Sequence, residues 1–442
     1  MSKRRGAVMV CGTTSNAGKS TLVAGLCRCY ARQGLRVAPF KAQNMSNNSA
    51  VTRSGYEIAR AQAAQAVAAG VEPEVGMNPV LLKPTGEHRS QVVVLGRPAG
   101  TMTAAQYHRQ KPQLLDTVLA ALADLRARYD VVILEGAGSP AEINLLDADI
   151  VNLRLAQEAD LPALVVGDIE LGGVFASLFG TVALLPDDYR RRIEGFVINK
   201  MRGDPSLLLD GTAQLEARTG IPTLGVLPWL DGPEIDSEDS LALERPLDAQ
   251  AEPGADVELA EPLDVAVVRL PRIANFTDLD PLRIEPGVRL RWVDDGRGVG
   301  QPDLLVIPGS KATVADLAWL RGRGIDRAVA AMRGTVLGIC AGYQMLGRSI
   351  TDPHGVESSE PAVDGLRLLD AVTTFGTHKV TRWRHGHLFG QPVSGYQIHH
   401  GVVHASGPTF VELDHGAGDG TSGATRAGGT VWGTSLHGLL ES

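Results

Sequence analysis

Through its first half the chain alternates short apolar runs with stretches whose apolar positions recur at helical spacing. Ala7–Cys11, Arg36–Phe40, Val131–Leu134, Ala163–Gly167, Gly195–Asn199 and Thr223–Leu227 read as buried strands. Lys19–Gln33, the Ala-rich Ile58–Ala69, Leu114–Arg128 and Pro205–Thr219 read as helices. Continuous apolar strands separated by helices imply a parallel sheet covered on both faces.

The pattern breaks at Asp231–Glu261, which is rich in Asp, Glu, Pro and Ala and has no sustained period. A second α/β series begins at Leu263–Leu270 and continues through strands at Arg289–Val293, Leu304–Ile307 and Thr335–Gly338, with a helix at Val314–Arg321. After Thr373, His, Gly and Thr become frequent and short strands are expected, with a loose loop over Gly416–Gly429. The expected fold class is α/β, divided into a first domain over 1–245, a linker over 246–262 and a second domain over 263–442.

Composition narrows the picture modestly. Hydrophobic residues make up 44% and charged residues 21%, as in soluble globular proteins. A formal net charge of -8 argues against nucleic-acid binding, which needs clustered Lys and Arg. No run is apolar and long enough for a membrane helix, and no leader is apparent. The four cysteines, Cys11, Cys27, Cys29 and Cys340, do not form a disulfide framework and suit a reducing cytoplasm. Oligomeric state is not legible.

Two constellations carry chemistry. Gly12, Thr13, Thr14, Ser15, Asn16, Ala17, Gly18, Lys19, Ser20 and Thr21 join the first strand to the first helix. A glycine-rich turn there lets backbone N–H groups wrap phosphates at a helix N-terminus. Lys19 is expected to reach the β- and γ-phosphates of ATP, and the Ser20 hydroxyl to hold Mg²⁺. Glu135, at the end of a strand, is a candidate Mg²⁺ ligand, and Asp168, at another strand end, is a second metal or substrate candidate. Lys41 ends the second strand, where it can neutralise a transferring phosphoryl group.

In the second domain, Gly338-Ile-Cys340-Ala-Gly342 places a cysteine between a strand and a helix, the sharp turn that exposes a nucleophile. A helix N-terminus there lowers the thiol pKa. His437 is the expected base, with His399 and His400 as rivals. Gly309, after another strand, and Ala341 are expected to supply oxyanion N–H groups.

Beyond these readings, Cys340-Ala-Gly-Tyr-Gln344, Pro308-Gly-Ser-Lys311 and Leu436-His-Gly438 resemble the class I glutaminase domain. The resemblance implies that Gln344 helps hold glutamine. The phosphate loop has one residue more between its glycines than the standard pattern, as in dethiobiotin-synthetase-like ATPases. Together with Phe40–Ser46, Met77–Pro84, Glu135–Asn144, Gly172–Ser177, Ile198–Lys200 and Gly395–His399, these motifs resemble the cobyric acid synthase family over nearly the whole chain. That resemblance implies ATP- and glutamine-dependent amidation of four peripheral carboxylates of a corrinoid, adenosylcobyrinic acid a,c-diamide. It further implies that Asn199 reads the adenine and that Gln43, Asn44 and Ser46 contact the corrinoid.

The chain departs from its relatives in two places. The glutaminase class has Glu two residues after its His, whereas this chain has Leu439, so a Cys–His dyad is expected. The family continues with a helix after the His-Gly motif, whereas this chain stops at Ser442; in a shortened chain His437 would be poorly anchored. Two rival functions are cobyrinic acid a,c-diamide synthase and a partitioning-type P-loop ATPase. The rival ATPases carry a further lysine early in the loop, where this chain has Gly12-Thr13-Thr14.

Overall fold

A computed structural model describes residues 6–86, 88–230, 262–414, 423–426 and 428–441. The expected linker falls largely outside these residues, as does part of the expected glycine-rich loop. The described chain forms two compact units. The first holds residues 6–46, 58–82 and 88–230, and the second holds 47–57, 83–86 and the described residues from 262 onward. Two short segments of the N-terminal half thus belong to the second unit, which the single boundary drawn from sequence does not anticipate.

The first unit has the expected parallel sheet of six strands. Their order is Thr223–Pro228, Ile193–Met201, Ala163–Asp168, Gly6–Gly12, Val131–Glu135 and Val37–Phe40. Val131–Glu135 and Val37–Phe40 are buried almost throughout, as strands with both faces covered must be. Gly6–Gly12 lies centrally, so the loop that follows it opens at the carboxyl edge, where open α/β sheets bind ligands. The helix expected from Leu114 in fact begins at Ala104 and runs to Arg128 through Pro112. A capping box does this: Thr103 Oγ1 accepts the Gln106 N–H while Gln106 Oε1 accepts the Thr103 N–H.

The second unit has its own six-stranded sheet, ordered Val288–Val293, Leu263–Val268, Leu304–Ile307, Thr335–Ile339, Val431–Thr434 and Ala424–Thr425. All neighbours are parallel except the last pair. Short strands were expected after Thr373; instead Ala371–Leu388 and Gln391–Ala405 form one long antiparallel hairpin. Polar residues are tolerated there because much of one face is exposed, so the hydrophobic alternation is weak. Among the described residues, no helix is long and apolar enough to cross a membrane.

Candidate active sites

The phosphate loop is held by contacts that its sequence requires. Gly18 has φ 92°, and a Cβ there would lie 2.0 Å from Asn199 Nδ2. Only glycine meets both demands. Asn199 Nδ2 in turn donates to the Ala17 carbonyl at 3.0 Å, so Asn199 braces the loop. Thr13 N–H bonds Val166 of the neighbouring strand at 2.9 Å. Lys19 Nζ is buried and donates to the carbonyls of Thr14, Ser15 and Gly138, tying the loop to the turn beyond Glu135.

Glu135 is the centre of this site. Its Oε1 accepts from Ser20 Oγ at 2.8 Å and from Lys41 Nζ at 2.9 Å, and its Oε2 accepts from Gln65 Nε2 at 2.6 Å. Burial raises the pKa of such a carboxyl, but Lys41 and the three hydrogen bonds outweigh it and hold Glu135 below its usual range. Ser20, Lys41 and Glu135, which lie far apart in sequence, are therefore brought together. Gln65 was missed by sequence reasoning. The available signal was two glutamines, Gln62 and Gln65, on one face of an Ala-rich helix, both fully buried.

Asp168 is placed differently. Its carboxylate receives Lys200 Nζ at 2.5 Å and the Glu170 N–H at 2.8 Å, and the same Lys200 Nζ donates to Asn16 O of the loop. Asp168 thus flanks the loop through Lys200, apart from the Ser20–Glu135 pair. Gln43 is partly buried, and its Oε1 accepts from Tyr107. Asn44 is buried against Gln62, and Ser46 is buried with its N–H on Leu82 O.

In the second unit Cys340 ends its strand with φ 52° and ψ -107°, a conformation costly for a residue with a side chain. The Cys340 N–H bonds Thr434 O at 2.7 Å. Its flanking glycines are obligatory: a Cβ on Gly342 would lie 1.9 Å from the Ile307 carbonyl, and one on Gly338 would lie 2.7 Å from Gly342. Gly342→Ala must push two backbone segments apart. It should cost about 1–3 kcal/mol, read as a lower calorimetric melting temperature for the second unit.

The expected dyad is corrected here. Asp278 Oδ2 accepts from His437 Nδ1 at 2.6 Å, and Asp278 Oδ1 accepts from the Gly438 N–H at 2.9 Å. Both side chains are buried. The orienting acid is therefore supplied from the turn Phe276–Leu279, which is 159 residues from the histidine, and not from the position of Leu439. Burial alone would push the imidazolium pKa down. The Asp278 carboxylate and the hydrogen bond and charge of Cys340 outweigh that and raise His437 to about 10. His399 and His400 line the same pocket, but burial pushes His400 down to about 4.

Poor anchoring of His437 is also corrected. Its N–H and carbonyl bond Tyr396 at 2.9 and 3.0 Å, and its ring stacks on that of Tyr396 at 5.5 Å. A Cβ on Gly395 would lie 2.3 Å from the His437 carbonyl, and Gln397 Nε2 bonds Ser435 Oγ at 2.7 Å. The Gly395–His399 motif is thus the seat of the histidine. Gly309, Ala341 and Gln344 line the pocket with Cys340 and His437. Gln344 is buried, with Oε1 3.3 Å from Thr313 Oγ1.

A phosphate loop on one parallel sheet and a cysteine–histidine–aspartate site on another define a nucleotide-dependent glutamine amidotransferase. Comparison with known proteins agrees. Residues 8–241 match the CobQ/CobB/MinD/ParA nucleotide binding domain, and 264–442 match the CobB/CobQ-like glutamine amidotransferase domain. The chain is 53% identical to the cobyric acid synthase of Rhodococcus jostii over 100% of its own length and 85% of that protein. It is 52% identical to that of Mycobacterium ulcerans over 98% and 86%, and 49% identical to that of Sorangium cellulosum over 98% and 88%. The chain belongs to the cobyric acid synthase family.

Proposed function

We propose that the chain uses four glutamines and four ATP to amidate four peripheral carboxylates of adenosylcobyrinic acid a,c-diamide, giving adenosylcobyric acid. The observation that carries this reading is the coexistence of both sites in one chain that matches enzymes of that name along its whole length.

The chemistry follows from the side chains. A carboxylate is a poor electrophile, so one of its oxygens attacks the γ-phosphorus of ATP, ADP leaves, and an acyl phosphate forms. Lys19 and the loop N–H groups hold the phosphates, and Lys41 offsets charge on the transferring group. Ammonia then attacks the acyl carbon and phosphate leaves. Mg²⁺ fits beside the loop because Ser20 Oγ and Glu135 Oε1 lie 2.8 Å apart. Mg²⁺ would neutralise phosphate charge there. Asp168, paired with Lys200, is the second candidate. Asn199, which braces the loop through the Ala17 carbonyl, is the candidate to read the adenine. Gln43, Asn44 and Ser46 are the candidate corrinoid contacts, and Gln43 is the least buried of the three.

Ammonia comes from glutamine. The Cys340 thiolate attacks the γ-carboxamide carbon, and Gly309 and Ala341, which line the same pocket, are the candidates to offer N–H groups to the oxyanion. His437 protonates the leaving nitrogen, ammonia departs, and water hydrolyses the γ-glutamyl thioester to glutamate. The reaction belongs in the cytoplasm, where the thiol stays reduced.

Incubation with glutamine, ATP, Mg²⁺ and the a,c-diamide should give a product four amide groups heavier in substitution by mass spectrometry. Amidation of cobyrinic acid alone, with the a,c-diamide untouched, would assign the chain to the a,c-diamide-forming reaction instead.

A further inference from the structure

The pocket beside Cys340 holds more charge than glutamine hydrolysis at the thiol requires. Lys83, Lys311 and Lys379 line it, together with Glu357. Two of the three lysines are engaged by a buried carboxylate. Glu57 Oε1 accepts from Lys83 Nζ at 2.5 Å, and Glu57 Oε2 accepts from Lys379 Nζ at 2.6 Å. Lys83 comes from the Met77–Pro84 motif, for which the reaction scheme supplies no role; in the structure Lys83 belongs to the second unit.

Lys311 is different. Among the described residues its ammonium group makes neither a hydrogen bond nor an ion pair. Burial and the like charge of Lys379 lower its pKa, and Glu357, Glu57 and Cys340 act in the opposite sense. Glu357 shares the pocket. Its Oε1 accepts the Val314 N–H at 3.1 Å and its Oε2 accepts from Thr313 Oγ1 at 3.2 Å. Burial raises it to about 7, and Lys311 only partly offsets that. Lys311 and Glu357 are close enough to influence each other's protonation, yet no ion pair joins them. An ammonium and a carboxylate held apart in one pocket complement a zwitterion, whose own two charges bridge the gap. Ligand charges would also offset the cost of keeping both groups ionised out of water.

We propose that Lys311 and Glu357 form the head-group subsite for glutamine, Lys311 holding the α-carboxylate and Glu357 the α-ammonium. This rests on the glutaminase reading above. The side-chain amide of the bound molecule then reaches Cys340. The Glu57 clamp on Lys83 and Lys379 leaves Lys311 as the lysine available to the ligand.

The test pairs substrate and enzyme changes. Ammonia release is measured from glutamine, from L-glutamine α-amide, which lacks the carboxylate, and from 4-carbamoylbutanoate, which lacks the amine. The parent enzyme should favour glutamine over each analogue by about 10- to 100-fold in kcat/KM, the worth of a hydrogen bond between charged groups. Lys311→Met should raise KM for glutamine by a similar factor with little change in kcat, and should no longer distinguish glutamine from the α-amide. Glu357→Gln should lose discrimination against the deaminated analogue only. Circular dichroism and melting temperature establish that the variants fold. If folded Lys311→Met keeps the parent's preference for the α-carboxylate, the subsite is wrong while the glutaminase stands. If the parent releases no ammonia from glutamine, the glutaminase reading falls and the subsite with it.

Discussion

Cys340→Ala should abolish amidation supported by glutamine and leave amidation supported by added ammonia at the parent rate. Alanine keeps the Cβ, so the backbone at φ 52° is no more strained than before. What disappears is the sulfur that forms the thioester, and with it the covalent route to ammonia. No other thiol can substitute. Cys11 and Cys27 are buried in the first unit with their thiols pushed up by burial, Cys27 to about 12, and Cys29 lies on the same helix as Cys27. Glutamate release should fall by about 10⁴-fold or more, the scale seen when a nucleophile is deleted from such a site. Parallel assays with glutamine and with ammonium chloride check this. Survival of both activities would dismiss Cys340 as the nucleophile.

Asp278→Asn should lower glutamine hydrolysis by about 10²–10⁴-fold, the range for removing the orienting carboxylate of a catalytic histidine. Asparagine fits the space, but its amide cannot hold the imidazolium. Burial then dominates and His437 loses its raised pKa. The effect on stability has a definite sign. A histidine raised from 6.5 to about 10 on folding contributes stability that is fully present below about pH 6.5 and is lost as pH rises through about 10. The melting temperature gap between parent and variant should therefore be widest below pH 6.5 and shrink toward pH 10. A gap independent of pH, with hydrolysis unaffected, would show that Asp278 does not act through the imidazolium. Ammonia-supported amidation serves as the control for the other half of the reaction.

Local patterns carried much of this protein. Continuous apolar strands followed by helices can pack only as covered parallel sheets, and both sheets are present. The Gly12–Thr21 loop and the Gly338–Gly342 turn were legible because a backbone wrapped on phosphate, or bent to present a thiol, needs glycine at set spacings. The antiparallel hairpin was less legible, since its exposed face breaks the alternation that marks a strand. The start of the helix at Ala104 was hidden by Pro112, although the Thr103–Gln106 capping pair was present in the sequence.

By itself, then, the sequence determined the strands of the two sheets, the glycine-rich loop after the first strand and the strand-to-helix turn that carries Cys340, because each depends on neighbours within a few residues. Only the tertiary structure decided what those groups face. Asp278 looks like any acid in a short turn until folding sets its carboxylate on His437. Gln65 and Lys41 meet only on Glu135, and Lys83 and Lys379 meet only on Glu57. The physical reason is the same in each case. A buried charge or amide needs a partner in space, and sequence spacing does not record which distant residue satisfies it.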